Sequence, residues 1–187
     1  MKINKRILAI IMMVCITLTL QTTYASTKKM SSKQKVAYQN KVHALLKKEK
    51  KSSKEIGFDA WEDPSVSYVY FDINKDGIKE LVVKGHCIGT NVYTYKKGKV
   101  KRIGQGGDGA CSSYCMYNEK YFVICVEGEL HLYKRRSSNY DYDNAISVGW
   151  TDGNFGTTVC HDSISNCIKY KICNKKGTII MKQFNWK

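Results

Sequence analysis

The feature that most narrows the folds open to this chain is a series of short runs with a period of two, parted by tight-turn signals, that starts just after its only proline, Pro64, and continues toward the C-terminus. "VSYVYFDI" and "IKELVVKG" flank an acidic loop, and "NVYTYKKGKVKRI" turns at Lys97-Gly98. "SYCMYNEKYFVICVEG" turns at 118–120, "ELHLYKRR" adds a strand, and "CIKYKICNKKGTIIMKQF" turns around 174–177. Alternating β-branched and aromatic residues suit strands with one buried face, and a two-residue gap ending in glycine suits a hairpin. Hairpin after hairpin predicts an antiparallel sheet, because parallel strands need long crossovers. The expected fold class is mainly β (α+β), with hairpins over about 66–187 forming a sheet, barrel or partial propeller.

One stretch keeps another period. Over about 31–51, Ser31 is placed as an N-cap with Gln34 three residues on, and Tyr38, Val42, Leu45 and Leu46 share a face opposite a lysine-rich one. This predicts a single amphipathic helix packed on the strands. "GQGGDGAC" and "SSNYDYDNAISVGWTDGNFGTT" follow neither period and are expected to be surface loops, where binding function concentrates.

Ahead of the helix, Lys2, Lys5 and Arg6 precede an uncharged apolar run at 7–20 and a small-residue site ending at Ala25. That pattern predicts a secretory signal peptide over 1–25. The run is short for a bilayer span, and Met13 and Val14 are not the small residues a lipoprotein signal places before its cysteine, here Cys15. No membrane span is expected once the signal is removed. Of 187 residues, removing 25 leaves 162, expected to form a single β-rich domain over 26–187. A domain of that size buries roughly 70% of the surface of its unfolded chain.

Three of the 31 Lys and Arg residues lie in the signal, leaving 28 against 16 acidic residues. Such a balance attracts polyanions through long-range, salt-sensitive fields. The lysines cluster in "KKEKKSSK" and in hairpin turns without interleaved aromatics, the pattern of solvated surface, so no specific nucleic-acid partner is expected. Seven cysteines remain beyond Cys15: Cys87, Cys111, Cys115, Cys125, Cys160, Cys167 and Cys173. In an exported chain, disulfides are the first expectation, with at least one of the seven unpaired or bonded between molecules. The sequence leaves connectivity open. The first pair to test is Cys160 with Cys167, at the ends of the polar stretch "CHDSISNC".

The acidic loop carries the strongest chemical signal. Within "YVYFDINKDGIKELVV", Asp72, Asn74 and Asp76 stand at loop positions one, three and five, Gly77 follows at the bend, Ile78 would offer its carbonyl at position seven, and Glu80 closes the set at nine. Ca2+ needs six to eight oxygens at about 2.3–2.6 Å, and alternate residues of a tight turn point inward to supply them. Lys75 and Lys79 occupy even positions and are expected to point outward. The alternative is an ion-free turn held by Asp and Asn side chains on backbone N–H groups.

An EF-hand would close at position twelve, here Val83, between helices. This loop instead resembles the D-x-[DN]-x-[DN]-G-x-x-[DE] calcium hairpin of FG-GAP repeats in integrin α-chain propellers, over 68–83. It is also similar to "DIDGDGxxEL" segments of small exported proteins of low-GC Gram-positive bacteria, which likewise place a helix before the loop and a tyrosine-rich hairpin after it; that looser likeness runs from the helix to about residue 103. The resemblance implies Ca2+ held by Asp72, Asn74, Asp76, Ile78 and Glu80 in a β-rich protein secreted by, or on the surface of, a Gram-positive bacterium. It transfers neither a ligand specificity nor a seven-bladed propeller.

Other constellations are thinner. Gln105 precedes Cys111 by the six residues that papain-like proteases use, with His131 or His161 as a base, but Cys111 stands before strands and not at the head of a long helix. Zinc on Cys111, Cys115, Cys160, His161 or Cys167 lacks the two-residue knuckle spacing. His43, His86 and His131 fall in helical or strand patterns, and scattered Trp61, Trp150 and Trp186 suit a core more than a sugar platform. The expected function is an exported, calcium-stiffened, non-catalytic module that binds an extracellular protein, a glycan or a polyanionic wall polymer. The competing class is a small secreted cysteine-dependent hydrolase.

Overall fold

The computed structural model describes residues 29–57, 64–107, 113–152 and 158–187. The expected signal peptide, Trp61 and Cys111 lie outside them. Helix α1 (Ser32–Ile56) starts where its cap predicts: Ser31 is extended and its hydroxyl accepts the Gln34 N–H at 3.1 Å. The Gln34 side chain does not close a capping box; its amide donates to the Lys79 carbonyl at 3.0 Å. The helix runs on past residue 51 to Gly57, which adopts φ +78° and returns its N–H to the Ser53 and Lys54 carbonyls. Tyr38, Val42 and Leu45 are buried as expected, and the same stripe continues through Glu49 and Ser53.

Among the described residues eleven strands follow: β1 (Val66–Phe71), β2 (Glu80–Gly85), β3 (Gly89–Lys96), β4 (Lys99–Gly106), β5 (Ser113–Tyr117), β6 (Tyr121–Val126), β7 (Glu129–Lys134), β8 (Tyr140–Asp141), β9 (Ile146–Asp152), β10 (Thr158–Val159) and β11 (Lys182–Gln183). The mainly β, hairpin-built fold is as the sequence predicts. The Lys97-Gly98 turn pairs Lys96 with Lys99, and both central residues take positive φ, whose twist matches that of the strands they join. The strands divide between two sheets. Sheet I has the order β1-β2-β3-β4-β8 and sheet II the order β10-β9-β7-β6-β5-β11. All pairings between these strands are antiparallel except β4 with β8, where Gly104 stands opposite Tyr140. A Cβ at Gly104 would sit 2.5 Å from the Tyr140 Cβ, so the close approach requires glycine.

Two-residue periodicity sorts side chains into three apolar layers. In β2, Leu81 and Val83 meet Tyr38, Val42 and Leu45 of α1, while Val82 faces the other way. Val82 and Val92 of sheet I then share a core with Cys115, Phe122, Ile124 and Tyr133 of sheet II. On the far face of sheet II, Val123, Cys125, Leu130 and Leu132 pack against Cys167, Ile172, Cys173 and Met181 from the C-terminal segment. Strands β2 and β6 are therefore buried on both faces, which is why "LVV" and "FVIC" read as continuous apolar runs.

Two expectations are corrected. The stretch at 167–184 is not a long hairpin: its start belongs to helix α2 (Ile164–Lys169), which follows a 3-10 turn (His161–Ser163), and an isolated bridge, Cys173 with Ile179, flanks the turn at 174–177. The expected loop "SSNYDYDNAISVGWTDGNFGTT" contains β8, a 3-10 turn (Tyr142–Asn144) and β9. Its strand signal is masked because Ile146 and Trp150 of β9 face solvent and Gly149 takes φ +148° between them.

Candidate functional site

The acidic loop spans the gap between β1 and β2, closed at its base by the pair Phe71 and Glu80. Lys75 (φ +60°) and Gly77 (φ +85°) turn the backbone so that its N–H groups point at the loop's own side chains. Asp72 accepts the Asp76 N–H on Oδ1 and the Gly77 N–H on Oδ2, both at 3.1 Å. Asn74 Oδ1 also accepts the Asp76 N–H, at 3.0 Å, and Asp76 Oδ1 accepts the Ile78 N–H at 2.7 Å. Asn74 Nδ2 donates to Asp76 Oδ2 at 3.0 Å.

Glu80 is fully buried beneath this turn. Its Oε2 accepts the Ile73 N–H at 2.9 Å and its Oε1 the Thr94 hydroxyl at 3.2 Å. Burial pushes its carboxyl up to about 7 against those two bonds, and the charges of Asp76 and Asp72 push the same way. Asp72 is buried too, whereas Asn74 is half-buried and Asp76 and Ile78 are exposed.

The loop is held from both sides. From α1, the Tyr38 hydroxyl and the Gln34 amide both donate to the Lys79 carbonyl, at 2.9 and 3.0 Å. From just beyond β7 of sheet II, the buried Arg135 donates Nε to the Ile73 carbonyl at 2.8 Å, Nη2 to the Asp72 carbonyl and Nη1 to the Asn118 carbonyl at 3.2 Å. Its guanidinium also lies 4.8 Å over the Phe71 ring. Burial lowers the guanidinium's pKa, and the nearby charges of Asp72 and Glu80 oppose that, so a fixed cation already stands under the loop.

The donor chemistry fits a hard cation. All the side-chain donors are oxygens, and each carboxylate oxygen that accepts one N–H or O–H keeps a second lone pair. Among the described residues, no group of three or more His, Cys, Asp or Glu side chains is placed to hold a metal ion; Asp72, Asp76 and Glu80 are turned to backbone N–H groups, the arrangement of the ion-free turn.

The residues weighed for thiol or zinc chemistry are dispersed. Cys115 lies in the core between the sheets and Cys167 behind sheet II, and burial pushes both thiols up to about 12, so they are protonated at neutral pH. His161 is exposed beside Asp162, while His131 is buried with Nε2 3.3 Å from Glu129, out of hydrogen-bond alignment. Trp150 is half exposed on β9, and Trp186 packs edge-on against Phe184. Comparison with known proteins finds no matching family model, no matching curated protein and no matching solved structure.

Sequence reasoning missed Arg135 and Glu49. "KRR" resembles a charged hairpin end, yet Arg135 has the same parity as Tyr133, which faces sheet I, while Lys134 and Arg136 are exposed. Glu49 reads as one more charge on a lysine-rich helix, but it is buried and accepts the Cys87 and Ile88 N–H groups at 2.8 and 3.0 Å. Its place in the stripe of Tyr38, Val42 and Leu45 was the available signal.

Proposed function

We propose that the chain is an exported, non-catalytic binding module whose β1–β2 loop takes up Ca2+ through Asp72, Asn74, Asp76, Glu80 and the Ile78 carbonyl. One observation carries this reading: Glu80 is sealed beneath the loop beside Asp72 and Asp76, where α1, sheet I and sheet II all grip the same turn. Crowded carboxylates at such a junction are relieved by a divalent cation, and a loop stiffened there stiffens the joint between α1 and the two sheets. Extracellular modules of this kind bind weakly, with Kd on the order of 10⁻⁴ to 10⁻³ M. Among the described residues no helix is long and apolar enough to cross a membrane.

Calorimetric titration with millimolar Ca2+, alongside melting with and without chelator, tests the proposal. The expected result is binding heat and a raised Tm for the wild type, with both lost in Asp76→Asn. No heat and no change in Tm would overturn it. An array of extracellular proteins, glycans and wall polymers, read at two salt concentrations with and without Ca2+, then identifies the partner class: binding lost at high salt marks a polyanion, and binding lost with chelator ties the partner to the loop.

A further inference from the structure

Cys167, in α2, and Cys173, just beyond it, both lie in the core behind sheet II. The Ile172 N–H donates to the Cys167 carbonyl at 2.8 Å and folds the connection back on itself. The Cys173 Sγ thereby comes within 3.9 Å of the Ile164 carbonyl in the first turn of α2, and the Cys167 Sγ within 3.8 Å of the Val148 carbonyl of β9. The two thiols sit close enough in that core to perturb each other's titration. The other described cysteines lack this geometry. Tyr114 stands opposite Cys125 and Cys115 opposite Ile124, so Cys115 and Cys125 project from opposite faces of sheet II. Cys87 sits beside Glu49, and Cys160 precedes the 3-10 turn.

We propose that Cys167 and Cys173 are joined by a disulfide in the exported protein. In a reducing compartment two buried thiols of one cluster persist as core residues, whereas the signal peptide expected over 1–25 directs this chain to an oxidising one. The oxidant is a low-molecular-weight disulfide. The Cys173 thiolate attacks one of its sulfurs and expels one small thiol; the Cys167 thiolate then attacks the Cys173 sulfur of the mixed disulfide and expels the second. The protein thiols lose two electrons and two protons, and the small disulfide becomes two thiols. Because both sulfurs are buried in the finished fold, the exchange occurs before α2 docks on β9. The pairing stands independently of the calcium reading.

Peptide mapping tests the pairing. The full chain, secreted by an exporting host or refolded in oxidised and reduced glutathione, is alkylated in acid denaturant without reduction. It is then cleaved before Asp162 and after Lys169 and Lys171, which separates Cys160, Cys167 and Cys173. The expected product is peptide 162–169 joined to peptide 172–175, two hydrogens lighter than their sum and absent after reduction. The link persists in Cys160→Ser. Alkyl label on both Cys167 and Cys173, or Cys173 joined to any other cysteine, would overturn the proposal.

Discussion

Burying a guanidinium costs several kcal/mol unless its charge and N–H groups find partners. Arg135 meets that condition with three backbone carbonyls, two from the acidic loop of sheet I and one from the β5–β6 turn of sheet II. Arg135→Met leaves those acceptors unpaired, and the expected loss is about 3 kcal/mol, read as a lower urea midpoint. Arg135→Lys, which keeps the charge but not the fork, loses less. His131 supplies one pH dependence at this scale. Burial lowers its pKa below the ordinary 6.5, more than Glu129 raises it, so the unfolded chain takes up this proton before the folded one does. The contribution of His131 is then full above about pH 6.5 and falls as pH drops below that value. Glu80, whose carboxyl is pushed up to about 7 by burial, works in the opposite direction over the same range, so the His131 contribution is read as the change in the pH 7.5 to 5.5 difference of urea melts between wild type and His131→Phe, which is expected to remove the His131 loss.

Among the elements, α1 does more than cover sheet I. Glu49 reaches from its buried stripe to cap the turn between β2 and β3. Glu49→Ala strands two N–H groups, one of them buried, for an expected loss of about 2–3 kcal/mol in urea denaturation; Glu49→Gln, which keeps one acceptor, loses about half as much. Elements set by local chemistry were legible in the sequence: the Ser31 cap, the Lys97-Gly98 hairpin and the positions of Asp72, Asn74, Asp76 and Glu80. What lay hidden depends on partners distant in sequence. Helix α2 is six residues long with β-branched Ile164 and Ile168, so its apolar spacing passes for strand alternation. Arg135 is buried by a loop some 60 residues earlier, and the division into two sheets leaves no mark where β2 and β6 are apolar on both faces.

At the scale of the whole molecule, three apolar layers must all be completed. The C-terminal segment supplies one side of the layer behind sheet II, so truncation after Cys160 exposes Val123, Cys125, Leu130 and Leu132. The expected product binds the dye ANS and loses near-UV circular dichroism while keeping far-UV strand signal. The β4–β8 pair has a further consequence, for timing. Sheet I receives its last strand, Tyr140–Asp141, only after β5, β6 and β7 of sheet II have been made. A chain leaving a ribosome or a translocation pore N-terminus first therefore carries an unfinished first sheet until residue 141 has emerged, and the interval in which that sheet's edge lies open is set by the speed of emergence.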